Sequence, residues 1–326
     1  MASASSPTYT LVALGRPNRA AEAIWRNAGV VDKVVNLKWA APSGYRRNSR
    51  ILGIGLDSAA AAVKVLCTRT GGPYLAANPW VGVALRLLGR EPLAVTGIYA
   101  QPGSRSHRVL RRVLGGTPVV TTVESEASAW VSDGGQAISV LFGNTFDYPN
   151  RSHLSSETLN VFVGGASDRD LQAVSRLEAE IRASNTQVRL TVVAGETPSD
   201  WTNGRSSIIH TGYVPQERFG LLLSDSDVVF LPLVGSERAA GHMVLVGALQ
   251  VGVPVATTPG VGMTGYIDGT FVCSIDTDAP ILPQLLAQTA VAPEPDAIRT
   301  FWRRRFSLDA YVARTAEALS SFEPRA

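Results

Sequence analysis

The sequence predicts an α/β fold with two Rossmann-like, doubly wound domains that face a cleft. Its 326 residues exceed what a single hydrophobic core usually holds, so two domains are the natural expectation. Apolar runs rich in β-branched residues alternate with helix-like stretches, as in parallel sheets with crossover helices. A polar, turn-rich segment at 144–158 separates two such series. We therefore predict domains at residues 1–150 and 151–326.

In the first domain, each predicted strand is a short apolar run bounded by turn residues. The predicted strands are Tyr9 to Leu14, Lys33 to Leu37, Pro73 to Ala76, Leu93 to Ile98, Val119 to Val123 and Ile138 to Leu141. The predicted helices are Arg19 to Asn27, Asp57 to Thr68, Val81 to Leu88, Ser104 to Leu114 and Ser125 to Ser132.

The second domain repeats this alternation. The predicted strands are Leu159 to Val163, Arg189 to Ala194, Ser207 to Thr211, Asp227 to Leu231 and Pro254 to Thr257. The predicted helices are Asp170 to Ser184, Pro215 to Ser224 and Gly241 to Gln250. Apolar residues recur at helical spacing between residues 296 and 322, which predicts one or two closing helices.

Composition and charge argue against several classes of protein. The net charge of +3 and the pI near 9.0 permit attraction to phosphate or anionic lipid without requiring it. Cys67 and Cys273 are too few for a disulfide framework or a cysteine-rich metal site. The first eight residues lack the features of a secretory signal, and no apolar run could span a bilayer. We expect a cytoplasmic protein without a nucleic-acid partner.

The most informative stretch runs from residue 228 to residue 258. A buried strand ends at Pro232, a loop of mostly small residues follows, and a helix begins near Gly241. The N-terminus of a helix offers free N–H groups and the positive end of its dipole to a phosphate. The backbone N–H groups of Gly241, His242 and Met243 could therefore hold a diphosphate. The alternative is an ordinary turn of a βαβ unit.

At this stretch the chain resembles the GT-B glycosyltransferases, specifically the GT4-like family. Members of that family carry a similar Pro-loop-Gly-helix-Gly-x-Pro-Val segment in their second domain. Three further segments match in the same order along the chain. They are TTVESEASAW followed by SVLFGN at the end of the first domain, VFVGGASDRDL at Val161 to Leu171, and HTGYVP at His210 to Pro215.

The resemblance implies a glycosyltransferase with an acceptor-side first domain and a second domain that binds a nucleotide-diphosphate sugar. In the family pattern, Gly164 and Gly165 let the backbone approach the diphosphate, and Arg169 is its cationic clamp. Tyr213 and Val214 lie where family members hold the base. The implied donor-binding residues are Arg16, Gly164, Gly165, Arg169, Tyr213, Val214, Ala240, Gly241, His242 and Met243.

Two positions depart from the family pattern. Retaining members usually carry two glutamates with seven residues between them, and the second of these holds the donor ribose. Aligned on the Gly-Val-Pro turn that begins at Gly252, these positions are Ala239 and Gly247 in this chain. Glu237 could reach the space of the first glutamate from the loop. The alternative is a non-catalytic GT-B-like binding protein or partner subunit that has lost its chemistry.

The catalytic contributors expected on this basis are Arg169, His242 and Glu237. His242 lies at the mouth of a helix, where the dipole depresses its basicity, so we expect a neutral imidazole rather than a base. His107 and Glu124 are candidate bases on the first domain. The histidines lack metal-ligand spacing, so we expect a reaction that needs no metal and no other cofactor.

Two basic clusters lie in the first domain, at Tyr45 to Arg50 and at Ser104 to Arg112. Basic residues near anionic lipid favour membrane binding, so these clusters predict peripheral contact with the inner membrane surface. The alternative is an ordinary solvated face. The acceptor stays open between a glycan, a lipid-linked sugar and a small molecule.

Overall fold

The computed structural model describes residues 8–15, 18–37, 50–68, 71–91, 93–151, 157–194, 198–235 and 237–322. The chain forms two compact units, Met1–Val140 with Tyr311–Ala326 and Leu141–Ala310. The main part of the first unit thus ends ten residues before the predicted boundary at 150. The first unit also includes Tyr311–Ala326, which we assigned to the second domain. The acceptor and donor roles of the two domains stay predictions.

The first unit contains a parallel sheet in the order β2-β1-β3-β4-β5-β6. Its strands are β1 (Tyr9–Leu14), β2 (Val31–Leu37), β3 (Tyr74–Ala76), β4 (Leu93–Thr96), β5 (Pro118–Thr121) and β6 (Gln136–Ser139). The helices between them are α1 (Arg19–Asn27), α2 (Arg50–Cys67), α3 (Pro79–Leu87), α4 (Arg105–Leu114) and α5 (Glu124–Ser132).

The second unit contains a sheet in the order β13-β12-β11-β7-β8-β10-β9, in which only β9 is antiparallel to its neighbour. Its strands are β7 (Leu159–Gly164), β8 (Val188–Val193), β9 (Ser199–Thr202), β10 (Ser207–His210), β11 (Val228–Leu231), β12 (Val255–Thr257) and β13 (Val272–Ser274). Its helices are α6 (Leu171–Ala183), α7 (Gln216–Ser224), α8 (His242–Val251), α9 (Ile281–Ala290) and α10 (Pro295–Arg305), and α11 (Leu308–Ser321) follows.

Hydrophobic patterning explains the centre of the second unit. Strand β11 reads VVFL and is buried at every position, as expected of a parallel strand that is covered on both faces. Helix α8 is buried at every residue except Met243, so it lies inside the core and packs against α7 and α10. Among the described residues, no helix is both long enough and apolar enough to cross a membrane.

The segment from Leu141 to Arg151, most of which we interpreted as a linker, is a strap bound to the second unit. The backbone N–H and C=O groups of Phe146 pair with the side-chain amide of Gln250, at 2.8 and 2.7 Å. The backbone N–H of Arg151 donates to the carbonyl of Val251 at 2.9 Å. The backbone of this strap is therefore held by long-range hydrogen bonds to α8.

Tyr148 of the strap is wedged between α7 and α8. A Cβ placed on Gly247 of α8 would lie 3.1 Å from Cε2 of Tyr148, and one placed on Gly220 of α7 would overlap the ring. The ring also stacks on Phe146, with ring centroids 4.8 Å apart. Both helix interiors therefore contain glycine at the point where the tyrosine enters.

We predict that Gly220→Ala lowers the free energy of unfolding by about 1–3 kcal/mol, because the added methyl overpacks against a confined ring. Gly55→Ala, in α2, is the matched control, since its Cβ would meet no atom within 4 Å. Better helix propensity should make that variant neutral or more stable by up to about 1 kcal/mol. Thermal unfolding measures both. Equal stability of the two variants would contradict the wedge.

Candidate functional site

The topology of the second sheet places a crevice at the carboxyl ends of β7 and β11. The chain winds from β7 towards β8 on one side and from β11 towards β12 on the other, so these two strands form the topological switch point. Ligands of open α/β sheets bind at such a point. Gly164 ends one strand and Gly165 follows it, and the loop from Pro232 to Gly241 leaves the other. The structure thus brings together the predicted diphosphate residues.

The N-terminus of α8 opens onto this crevice. Gly241 adopts a left-handed conformation with φ 76° and caps the helix without a side-chain hydrogen bond. Within the described part of the chain, the backbone N–H groups of Gly241, His242 and Met243 have no acceptor. Ala240 is buried directly before the cap. Three free donors and the helix dipole favour an anion here.

Arg169 holds the glycine loop in shape. Its Nε donates to the carbonyl of Gly164 at 2.7 Å, and its Nη1 donates to the carbonyl of Ser167 at 2.9 Å. Its Nη2 lies 2.5 Å from where a Cβ on Gly165 would be, so only glycine fits beneath the guanidinium. Burial lowers the pKa of Arg169 to about 10, against the opposing effect of Asp168. The group stays charged at neutral pH, and Nη2 has no acceptor among the described residues.

A bidentate ion pair joins the glycine loop to the loop after β11. Asp168, in a left-handed conformation with φ 53°, accepts from Nε and Nη2 of Arg238 at 2.8 and 2.6 Å. Backbone hydrogen bonds continue the contact, because Val234 N–H donates to Asp168 and Asp170 N–H donates to Pro232. These hydrogen bonds therefore hold the two loops at the crevice together. Sequence reasoning did not identify Arg238, because its partner lies 70 residues away.

His242 is buried and neutral. Its ring stacks on Tyr266 with centroids 4.0 Å apart, and its Nε2 donates to the carbonyl of Gly262 at 2.8 Å. Burial lowers its pKa to about 4, against the opposing effect of that hydrogen bond. The expected neutral imidazole is thus present, but burial is the main cause. The ring fastens the glycine-rich segment 260–265, which contains a 3-10 turn at Val261–Met263, to α8.

The turn between β10 and α7 presents a large exposed ring. Tyr213 is 92% exposed, while Val214 is half-buried against the core. An aromatic ring in the open after the carboxyl end of β10, at the same edge of the sheet as the crevice, offers a stacking surface to a base. Glu237 is an exposed residue of the loop from Pro232 to Gly241. Its catalytic role stays a prediction.

The two positions that lack glutamate differ in their surroundings. Ala239 is half-buried in the loop that leads to α8. Gly247 faces the strap, where the Tyr148 ring takes up the space that a side chain would need. Helix α8 therefore has no room for a carboxylate at 247 unless the strap moves.

The structure describes only some of the candidate residues of the first unit. Arg16 lies outside the described residues, as does most of the basic cluster at 45–50. His107 is buried against Trp130, with centroids 5.6 Å apart, and burial lowers its pKa. Glu124 accepts hydrogen bonds from Ser128 and Ser139. The roles of His107 and Glu124 as bases stay predictions.

No family model matches the sequence. Comparison with curated proteins finds no match either. Solved structures do match. Sucrose-phosphate synthase from Thermosynechococcus elongatus has a TM-score of 0.63 at 15% identity, over 88% of this chain and 82% of its own. HepE from Anabaena, in complex with UDP and glucose, has a TM-score of 0.62 at 13% identity, over 97% and 100%.

A UDP-forming α,α-trehalose-phosphate synthase from Burkholderia vietnamiensis has a TM-score of 0.63 at 11% identity, over 96% of this chain and 98% of its own. These proteins have the GT-B fold, and so does this chain, with two Rossmann-like, doubly wound domains. The predicted fold class is confirmed. Membership of the GT4-like family stays a prediction.

We predict that stability falls as the pH drops from about 6.5 to about 4, because only the unfolded chain protonates His242 in that window. The pKa of the folded state lies below that of the unfolded state, so the stabilisation is complete above pH 6.5. His242→Gln should lose this component of the pH dependence. Thermal melting of both proteins between pH 4 and pH 8 measures the difference. Parallel curves would show that the imidazole does not titrate in this way.

Proposed function

We propose that this protein is a glycosyltransferase that moves a sugar from a nucleotide-diphosphate donor to an acceptor, without a metal. The observation that carries the proposal is the anion-binding geometry at the switch point of the second sheet. Three free backbone N–H groups begin α8, and the Arg169 guanidinium lies over Gly165. The fold neighbours include a protein in complex with UDP and glucose and UDP-forming synthases, which supports this class of donor.

In the proposed reaction, an acceptor oxygen forms a bond to the anomeric carbon of the donor sugar. The bond between that carbon and the phosphate oxygen breaks, the nucleoside diphosphate leaves with the electron pair, and the proton of the acceptor hydroxyl passes to an oxygen of the leaving diphosphate. Negative charge therefore grows on the diphosphate. Arg169 and the N-terminus of α8 are preorganised to stabilise that charge, as a cation would. The other residues of the second unit proposed to contact the donor are Gly164, Tyr213, Val214, Ala240, His242 and Met243. Arg16, outside the described residues, stays a predicted donor contact, and Glu237 stays a predicted catalytic residue.

A second candidate function is a non-catalytic binding protein. Ala239 and Gly247 favour it, because both positions lack the carboxylate of the family pattern. Such a protein would still bind a nucleotide diphosphate at α8. It would show neither transfer nor slow hydrolysis of any nucleotide sugar, whereas an enzyme hydrolyses its own donor slowly. Incubation with a panel of nucleotide sugars and detection of the released nucleotide separates the two functions.

We also propose that the first unit contacts an anionic membrane surface on the cytoplasmic side. Arg105, Arg108 and Arg112 lie three, four and seven residues apart on one exposed face of α4, together with Val109. Helix α4 contains no acidic residue, and the structure as described pairs none of these three arginines with a carboxylate. This face complements a bilayer of anionic lipid. Contact with a membrane would bring lipid-linked sugars close to the protein, so the proposed acceptors are a glycan, a lipid-linked sugar or a small molecule.

We predict that Arg169→Gln weakens the binding of a matching nucleoside diphosphate by about 10- to 100-fold, since it removes charge-assisted hydrogen bonds. Arg176→Gln is the control, because Arg176 is exposed on α6 and makes only a weak ion pair, with its Nη1 4.0 Å from Oδ1 of Asp278. Calorimetric titration with UDP, GDP, dTDP and CDP gives the affinities. Unchanged affinity in a folded Arg169→Gln protein would show that Arg169 does not bind the diphosphate. No binding of any nucleotide to the native protein would overturn the proposed donor site.

We predict that the triple variant Arg105→Gln, Arg108→Gln, Arg112→Gln loses roughly 100-fold in partition onto anionic vesicles, at about 1 kcal/mol for each arginine. The control replaces Arg189, Arg205 and Arg218 of the second unit, which are equally exposed. Co-sedimentation with phosphatidylcholine vesicles, with and without phosphatidylglycerol, measures the loss. Equal binding to both vesicle types would rule out the charged face as the cause.

A further inference from the structure

The strap brings a tyrosine hydroxyl to the edge of the sheet where the donor site lies. The N-termini of α7 and α8 lie at that edge, because each helix follows the carboxyl end of a parallel strand. The Tyr148 ring passes between Gly220 and Gly247, and its hydroxyl reaches Gln216, the first residue of α7. The hydroxyl thus points towards the helix N-termini and away from the core.

The hydrogen bonding of this hydroxyl leaves one donor free. Nε2 of Gln216 donates to Oη of Tyr148 at 2.7 Å, so the oxygen acts as acceptor in that bond. The O–H of Tyr148 finds no acceptor in the described ranges of the chain. Burial raises the pKa of Tyr148 to about 12, so the hydroxyl keeps its proton at neutral pH. Tyr148 can therefore donate to a ligand oxygen.

The order of groups in a nucleoside diphosphate indicates which oxygen this is. The ribose lies between the diphosphate and the base. In the proposed function, on which this inference rests, the diphosphate binds at the start of α8 and the base lies by Tyr213 before α7. The space between the starts of α8 and α7 then receives the ribose. Tyr148 and Gln216 supply a hydroxyl and an amide at the N-terminal end of α7.

We propose that Tyr148 contacts the 2′-hydroxyl of the donor ribose and that Gln216 positions the hydroxyl of Tyr148. Gly247 belongs to the same arrangement, because any larger residue there would displace the ring. The pair takes the place of a carboxylate on α8. A hydroxyl and an amide are neutral, so this ribose contact adds no negative charge beside the diphosphate.

The test compares ribonucleotides with their 2′-deoxy forms. UDP, GDP, 2′-deoxy-UDP and 2′-deoxy-GDP are titrated calorimetrically into the native protein, into Tyr148→Phe and into Tyr311→Phe. Tyr148→Phe keeps the ring that fills the wedge and removes only the hydroxyl. We expect the native protein to prefer the ribonucleotide by about 5-fold, the usual effect of one hydrogen bond. That preference should vanish in Tyr148→Phe and persist in Tyr311→Phe, which loses a buried hydroxyl of the first unit.

The outcomes separate this inference from the proposed function. If UDP or GDP binds but the native protein shows no preference for ribose, or Tyr148→Phe keeps that preference, the tyrosine does not contact the 2′-hydroxyl, while the donor site stands. If no nucleotide diphosphate binds the native protein, the donor site is wrong and the ribose contact falls with it. Equal melting temperatures of native protein and Tyr148→Phe confirm that the comparison reports binding rather than folding.

Discussion

The complete burial of helix α8 is the constraint on which the second unit depends. A helix that is apolar on all sides can only lie inside the core, and here strands, α7, α10 and the strap surround it. Its position fixes where its N-terminus emerges, at the carboxyl ends of β7 and β11. The free N–H groups at Gly241 thus stand at the end of a helix that is packed on all sides. An anion site built this way needs little rearrangement to bind.

The main strands and helices could be read from the sequence because their signals are local. Strand β11 is a continuous apolar run before Pro232, and helix α8 is apolar between Gly241 and Gly252 except at His242 and Gln250. The predicted limits of both agree with the structure to within one residue. Strand β9 escaped prediction, because Ser199–Thr202 is polar and mostly exposed at the edge of the sheet. The strap was read as a linker, because its order comes from partners about 100 residues away, such as Gln250.

The same division applies to the site. Gly241 could be singled out because a glycine before a helix is recognisable at short range. Gly165 and Arg169 were singled out through the resemblance of their segment to the glycine loop of the GT4-like family. The pair of Asp168 with Arg238 and the wedge of Tyr148 depend on which loops meet, which no short segment specifies. One signal was present. Gly220 and Gly247 interrupt good helical sequence, and a glycine inside a helix usually marks a close approach.

The wedge at Tyr148 also constrains how this protein can change over generations. A single substitution at Gly247 meets the aromatic ring, and loss of the ring alone opens a hole between two helices. Each change is harmful without the other, so positions 148 and 247 should drift together. Homologues that bear a carboxylate at 247 should carry a small residue at 148, and intermediates with both large side chains should be absent. Positions 148 and 247 would then covary, and the residues found there would distinguish one group of homologues from another.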